Sequence, residues 1–178
     1  DGIQLEIQTS WDGESYTEPA KNSQGVYLIS SPDELMWFDK NAKMTDSAKL
    51  TSDITINEDV SGSDATSQKY KWTPIGTNSK PYTGSFDGNG HTISGIYIES
   101  KTRDTGLLGY MKDCTIENLT LSNSRIRATG VSYTGGIAAY LNGSSKISNC
   151  KVDGTVTVNG KNYTGGVVGY IADQSTLL

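Results

Sequence analysis

Tyr133-Thr-Gly-Gly-Ile-Ala-Ala-Tyr140 recurs as Tyr163-Thr-Gly-Gly-Val-Val-Gly-Tyr170, and Thr105-Gly-Leu-Leu-Gly-Tyr110 is an earlier copy of the same pattern. The final tyrosines of the three copies stand at positions 110, 140 and 170, so the interval between copies is constant. A pattern repeated at a fixed interval indicates an internal repeat, in which each copy belongs to one structural unit. The repeat therefore decides the fold.

A second pattern lies between these copies, in Thr92-Ile-Ser-Gly-Ile-Tyr-Ile98, Thr115-Ile-Glu-Asn-Leu-Thr-Leu121 and Lys146-Ile-Ser-Asn-Cys-Lys-Val152, with a degenerate earlier copy at 50–56. Apolar and polar residues alternate, which is typical of strands, and Gly or Asn interrupts them where the chain must bend. Units this small, built from short strands, cannot bury their apolar side alone, so successive units must stack. We predict an all-β fold, a right-handed parallel β-helix (β-solenoid).

A helix is predicted near the N-terminus, where it would cap the first coil. Gly25–Ile29 has a strand pattern, and Ser31-Pro32-Asp33-Glu34 offers an N-cap serine, a proline at the first helical position and a capping-box glutamate. The helix should end near 41–44. Leu35, Met36 and Phe38, with Trp37 as a further candidate, would cover the first coil.

The chain divides into three segments on these patterns. Residues 1–24 form an N-terminal strand or linker segment, 25–49 an N-terminal cap of strand plus helix, and 50–178 the β-helix coils; 58–71 is a polar surface loop between coils. Aligning the tyrosine motifs places the end of the sequence at the start of a strand. We therefore expect the coils to be truncated and the natural polypeptide to continue into further coils or domains.

The charge balance disfavours several classes of partner. Lys and Arg number 15 against 20 Asp and Glu, and a net charge of −5 does not attract nucleic acid. No apolar run approaches the roughly 18 to 20 residues of a membrane span, so membrane insertion is not expected. Two cysteines are too few for a disulfide framework.

Several stretches together resemble the GLUG repeat family over residues 25–178. They are Trp72-Thr-Pro-Ile-Gly76, Tyr82-Thr-Gly-Ser-Phe-Asp-Gly-Asn-Gly-His-Thr-Ile-Ser-Gly-Ile96 and Gly106-Leu-Leu-Gly109 with its copies. This family occurs in large bacterial surface and secreted proteins, including adhesin-like proteins and the N-terminal regions of IgA-specific metallopeptidases. The resemblance implies an exported β-solenoid of the bacterial cell surface and no defined ligand.

The sequence does not offer a metal or peptidase site. His91 is the one histidine, so the His-Glu-x-x-His pattern of zinc peptidases is missing, and His91 is interpreted as a turn residue at a coil corner. Asp87-Gly-Asn-Gly90 lacks the later ligands of a calcium loop. We expect no metal and no cofactor.

Catalytic β-helices act on polysaccharides through convergent carboxylates on adjacent coils. Aligning the second pattern sets Glu117 against Ser94 and Ser148, and the same alignment sets Arg125 and Arg127 against Thr155 and Thr157. No acidic ladder results, so we expect a chain that is not an enzyme.

The repeated tyrosines are the candidate ligand-binding residues, because equivalent positions stack in a solenoid. Tyr110, Tyr140 and Tyr170 should form one ladder. Facing outward, it would offer a sugar or a protein an aromatic strip; facing inward or at a corner, it would hold the coils together. Tyr133 and Tyr163 lie in polar turns and are expected to face water.

The two cysteines are predicted to be free thiols, because the alignment offsets them by about five residues on neighbouring coils, too far for a disulfide. Cys150 takes the place of Leu119 and Ile96, whereas Cys114 aligns with Ser145.

The functional hypothesis is a non-enzymatic module at the cell surface, an adhesin segment or stalk with a host glycan or host surface protein as partner. The alternative is an accessory domain of a secreted peptidase or carbohydrate-active enzyme whose catalytic part lies elsewhere. The two hypotheses share an extracellular location.

Overall fold

The computed structural model describes residues 10–60, 70–130 and 132–178, so positions 1–9 of the predicted N-terminal segment and 61–69 of the predicted surface loop lie outside them. Short strands dominate these ranges, and each pairs in parallel with the equivalent strand of the neighbouring coil. Such pairing makes a β-solenoid, as the repeat predicts. The hand of the winding stays a prediction, as does the division into three segments.

The first sheet runs the length of the solenoid and joins the N-terminal strands to the coils. Its six strands, in spatial order, are β1 (Tyr27–Ile29), β2 (Ala48–Leu50), β4 (Phe86–Asp87), β9 (Thr115–Glu117), β14 (Lys146–Ser148) and β19 (Thr176–Leu177). Phe86, Ile116 and Ile147 are in register and point into the core, where each is no more than 2% exposed. One apolar column thus links successive coils.

Within the described residues, four further sheets complete the coils. The second contains β3 (Ile54–Thr55), β5 (Thr92–Ser94), β10 (Thr120–Ser122) and β15 (Lys151–Val152), and the third contains β6 (Tyr97–Ser100), β11 (Arg125–Ala128) and β16 (Thr157–Asn159). The fourth contains β7 (Asp104–Thr105), β12 (Tyr133–Gly135) and β17 (Tyr163–Gly165), and the fifth contains β8 (Leu108–Lys112), β13 (Ala138–Asn142) and β18 (Val168–Ile171). Three successive coils therefore run from β4 to β8, from β9 to β13 and from β14 to β18.

The helix α1 (Pro32–Asn41) follows β1 and ends where the sequence predicts. Leu35, Met36 and Phe38 are buried, and the Phe38 ring meets the Phe86 ring edge to face at 6.3 Å. Within the described ranges, no helix is long and apolar enough to cross a membrane.

The predicted capping box is wrong in one detail. The Ser31 side chain makes no cap hydrogen bond, and the Glu34 carboxylate accepts from the backbone N–H and hydroxyl of Ser30 instead. Glu34 therefore hydrogen-bonds to Ser30, one residue before the predicted N-cap Ser31.

Asparagines turn the chain at one corner, as the interruptions in the alternation indicate. Asn118 and Asn149 have φ of 55° and 50°, in the left-handed region that Asn tolerates better than most residues. The Asn149 side-chain amide donates to Asn118 Oδ1 at 2.8 Å, and the Asn118 amide donates to Asp87 Oδ1 at 3.1 Å. Neighbouring coils are thus bonded through side chains as well as through the backbone.

The predicted register between the first and second coils is wrong. Thr115–Glu117 pairs with Lys146–Ser148 as expected, but on its other side it pairs with Phe86–Asp87 rather than with Thr92–Ser94. Thr92–Ser94 instead pairs with Thr120–Ser122 in the next sheet. Each coil contains several short strands with the same alternation, so the pattern matched strands of two different sheets.

The arginine pairing on the third sheet is also shifted by two residues. Arg125 lies beside Thr157 and Tyr97, and Arg127 lies beside Asn159 and Glu99. The expected partner Thr155 lies in the turn before β16.

Cys114 and Cys150 carry free thiols. The Cys114 sulfur is 4.0 Å from the Ser145 hydroxyl, which confirms that alignment. Cys150 precedes Lys151, the partner of Thr120, and so takes the place of Leu119 as predicted. Ile96 belongs to a different column, because it precedes Tyr97, the partner of Arg125.

Candidate functional site

The repeated tyrosines form two ladders on adjacent strands, and we call the five together the tyrosine face. Tyr110, Tyr140 and Tyr170 stack along the fifth sheet, with ring centroids 4.7 and 5.0 Å apart and planes 8° and 25° apart. Tyr133 and Tyr163 stack along the fourth sheet at 5.0 Å and 18°. The predicted ladder of Tyr110, Tyr140 and Tyr170 is confirmed. The prediction that Tyr133 and Tyr163 lie in turns is wrong, because both lie on the paired strands β12 and β17, where they make a second ladder.

The tyrosine face lies on the outside of the solenoid. Met111 and Leu141, which follow Tyr110 and Tyr140, belong to the hydrophobic core, whereas these two tyrosines do not. Tyr110 is covered and 7% exposed, while Tyr163 and Tyr170 are 54% and 37% exposed. The rings of Tyr163 and Tyr170 are therefore open to solvent.

A tight bend brings the two ladders together. The chain turns between Gly135 and Ala138, and a Cβ on Gly135 would overlap the carbonyl oxygen of Ala138. Tyr133 before the bend and Tyr140 after it then meet at 4.9 Å with planes 82° apart. Tyr163 and Tyr170 repeat this edge-to-face contact at 5.3 Å and 75° in the next coil.

The stacking determines which part of each ring is available. Parallel rings about one strand spacing apart cover most of each other's faces. What the ladders present along their length is ring edges and phenolic hydroxyls, which can both donate and accept hydrogen bonds. The Tyr110 hydroxyl already accepts from the Asn142 side-chain amide at 2.8 Å.

An arginine extends the tyrosine face into the first coil. The Arg103 guanidinium carbon lies 4.8 Å from the centre of the Tyr133 ring and 5.9 Å from that of Tyr140, within the range of cation–π attraction. Its Nε is 3.7 Å from the Asp104 carboxylate. Asp104 occupies the column of Tyr133, since the two residues pair across β7 and β12.

Sequence reasoning did not identify Arg103 or Asp104 as site residues. A signal was present, because Asp104-Thr-Gly106 aligns with Tyr133-Thr-Gly135 through the shared Thr-Gly. The first coil simply carries a carboxylate where the later coils carry rings.

The corrected register also creates a charged column on the first sheet. Lys49, Asp87 and Glu117 lie side by side, and Lys49 Nζ is 2.9 Å from Asp87 Oδ2. Partial burial opposes ionisation of Asp87, but hydrogen bonds from Asn118 and Lys49 prevail and lower its pKa. A carboxylate held ionised in this way is unsuited to act as a general acid.

His91 is a corner residue, as expected, with Nδ1 3.2 Å from Asp53 Oδ1. Among the described residues, no group of three or more His, Cys, Asp and Glu side chains is placed to hold a metal ion.

One stretch of sequence, residues 130–157, includes one rung of each ladder, Tyr133 and Tyr140, and the bend between them. It is a GLUG motif. The resemblance drawn from the sequence is thereby confirmed for these residues, which span the end of the second coil and the start of the third. Within the GLUG motif, the glycines form the bend that sets one tyrosine against the other.

The chain is also similar to part of a much longer protein. Halomucin from Haloquadratum walsbyi (strain DSM 16790 / HBSQ001) is 33% identical to it over 140 residues, which is 76% of this chain and 2% of halomucin. A solved structure from Bacteroides ovatus, of a protein proposed to be an immunoglobulin A1 protease, is 17% identical with a TM-score of 0.43. That match covers 91% of this chain and 66% of the other.

Proposed function

We propose that this chain is a non-catalytic β-solenoid module of a secreted or cell-surface protein, an adhesin segment that binds a glycan through its tyrosine face. The observation that carries this proposal is the concentration of five tyrosines and one arginine on a single outer face. Tyrosine provides a large, rigid and amphipathic contact surface at low cost in side-chain entropy. Rows of phenolic hydroxyls match the hydroxyl-rich surface of a glycan.

The extracellular location is supported by the GLUG motif and by the similarity to halomucin. The absence of catalysis is supported by the site chemistry. In the column of Lys49, Asp87 and Glu117, hydrogen bonds from Asn118 and Lys49 keep Asp87 ionised, so Asp87 is unsuited to act as a general acid.

The test is a glycan microarray probed with the wild-type chain and with two double variants. Tyr133→Phe with Tyr163→Phe keeps both rings and their stacking but removes the hydroxyls, so selective glycan binding should weaken at least about tenfold, equivalent to one or two lost hydrogen bonds. Tyr133→Ala with Tyr163→Ala should abolish it.

A matched control is Tyr97→Phe, which removes a hydroxyl from the third sheet. It should bind like the wild type. Equal binding by the wild type and the double phenylalanine variant would refute the contact face, and a chain that binds no glycan would refute the glycan as ligand.

A further inference from the structure

Asp104 is a buried carboxylate with an unused acceptor. Its side chain is 7% exposed, and its Oδ1 is buried without a hydrogen bond. Burial raises the pKa of Asp104, while Arg103 and a backbone hydrogen bond from Asn78 act in the opposite direction. A buried acceptor that lacks a donor costs free energy, so its presence calls for an explanation.

A cleft of about 520 Å³ lies beside this carboxylate. It is formed by the segment that leads to the bridge between Ile75 and Leu108, by the turn that closes between Thr77 and Lys80, and by the residues leading into β7. Arg103 and Asp104 complete the cleft and connect it to the tyrosine face. The rest of its lining combines hydroxyls, an amide and apolar surface from Thr73, Pro74, Thr77, Asn78, Ser79 and Thr102.

The charges in the cleft select a neutral ligand. Arg103 and Asp104 cancel each other, and the 3.7 Å between Nε and Oδ1 is too long for a hydrogen bond. Arg103 is 48% exposed, so its side chain can move away from Oδ1. A hydroxyl group inserted between them would donate to Oδ1 and accept from the guanidinium, satisfying both groups at once.

We propose that the cleft beside Asp104 binds one sugar unit of a neutral glycan, with Asp104 Oδ1 and Arg103 bridged by a sugar hydroxyl. This inference rests on the proposed function and gives it a specificity pocket. The C–H surface of the sugar packs on Pro74 and the threonine methyls, and the remainder of the glycan extends over the tyrosine face. The rings of Tyr133 and Tyr140 hold the guanidinium at the mouth of the cleft.

Two other ligand classes fit less well. An ammonium group would satisfy Oδ1 but would meet the positive charge of Arg103. A carboxylate or sulfate would pair with Arg103 but would be repelled by Asp104, whose charge is buried beside it. A hydroxyl group carries neither penalty.

The test uses the full chain and free neutral monosaccharides, namely glucose, galactose, mannose and N-acetylglucosamine. Each is titrated while the backbone amide signals of Gly76 and Asn78 are followed by NMR. At least one sugar should shift these signals saturably, and Asp104→Asn should weaken that binding about tenfold by removing a charged acceptor. Lysine methyl ester and N-acetylneuraminic acid serve as cationic and anionic comparisons.

Asp104→Asn should leave the temperature of thermal unfolding unchanged or slightly higher, since burial opposes ionisation of Asp104 and a neutral amide avoids that cost. Glu99→Gln, a carboxylate change on the third sheet, should bind sugar like the wild type. Equal sugar affinity in Asp104→Asn and wild type would overturn the inference, as would shifts caused by the charged comparisons alone.

The array separates this inference from the proposed function. If array binding depends on Tyr133 and Tyr163 but no sugar shifts the cleft signals, the specificity pocket is refuted and the contact face stands. If the array shows no binding and no sugar shifts the signals, both proposals are refuted.

Discussion

Tyr140 is the rung on which the tyrosine face depends, so Tyr140→Ala should destabilise the fold strongly. The ring contacts Tyr110 at 4.7 Å, Tyr170 at 5.0 Å and Tyr133 at 4.9 Å. Each aromatic pair contributes about 0.5–1.5 kcal/mol beyond its buried area, so three pairs amount to about 1.5–4.5 kcal/mol. Adding the burial of a half-buried ring, we expect a loss of about 2–5 kcal/mol in the free energy of unfolding.

The measurement is urea unfolding followed by tryptophan fluorescence and circular dichroism, with the slope of unfolding free energy against urea compared between variants. Tyr140→Phe keeps all three ring contacts and should lose less than about 0.5 kcal/mol. Tyr163→Ala loses two contacts from a ring that is 54% exposed, so its cost should be smaller than that of Tyr140→Ala. If Tyr140→Ala lowers the free energy of unfolding by less than about 1 kcal/mol, with an unchanged dependence of that free energy on urea concentration, the ladders do not hold the coils together.

Three further predictions concern the bend, the half-buried Asp39 carboxyl and the thiols. Gly165→Ala should destabilise the chain by about 1–3 kcal/mol, because the new Cβ would overlap the Val168 carbonyl oxygen. The adjacent Gly166→Ala is the control and should be neutral, because its Cβ would meet no atom. Equal unfolding temperatures of the two variants in thermal melts would contradict this prediction. Burial raises the pKa of Asp39 to about 7, so the folded chain holds that proton more tightly than the unfolded chain. The free energy of unfolding should therefore fall as pH rises from about 4 to about 7, by up to about 4 kcal/mol. In Asp39→Asn the urea midpoint should lack this dependence on pH. An equal pH dependence of the urea midpoint in the wild type and the variant would contradict the prediction. Burial also raises the pKa of the Cys114 thiol to about 11, so this thiol should react slowly with iodoacetamide at about pH 8 in the folded chain. After unfolding, both thiols should react. Rapid labelling of Cys114 in the folded chain, detected by peptide mapping, would contradict its burial.

The ladders could be predicted from sequence because the tyrosine motif keeps a strict interval. Tyr110, Tyr140 and Tyr170 are evenly spaced along the chain, and strands paired at a constant interval must align equivalent side chains. The pairing of Tyr133 with Tyr163 has the same basis, but the polar residues around them favoured turns over the paired strands β12 and β17.

The first coil could not be aligned in the same way, because short apolar and polar alternation is shared by several strands of one coil. Thr92-Ile-Ser94 matches Thr115-Ile-Glu117 in letters, yet the hydrogen-bonded partner of the latter is Phe86-Asp87. So short an alternation specifies which face is buried, but not which sheet the strand joins. Tertiary packing decides that, here through the Phe86 side chain in the core.

The Asp104 cleft was beyond sequence reasoning for a different reason. Its two sides, at Asn78 and Asp104, are far apart in the chain, and no periodicity relates them. The absence of a hydrogen bond at Oδ1 is a property of the packed structure alone.

The parallel pairing of successive coils sets how far such a module can reach. Each coil advances the solenoid by one strand spacing, about 4.8 Å, whereas an α-helix of about 30 residues, the length of one coil, advances about 45 Å. Covering distance with coils therefore takes about nine times as many residues as covering it with a helix. Most residues of a coil instead run around the solenoid axis. One chain therefore has several sheet faces, and every added coil lengthens the same columns of side chains. This geometry suits a molecule selected for surface that repeats at a fixed spacing.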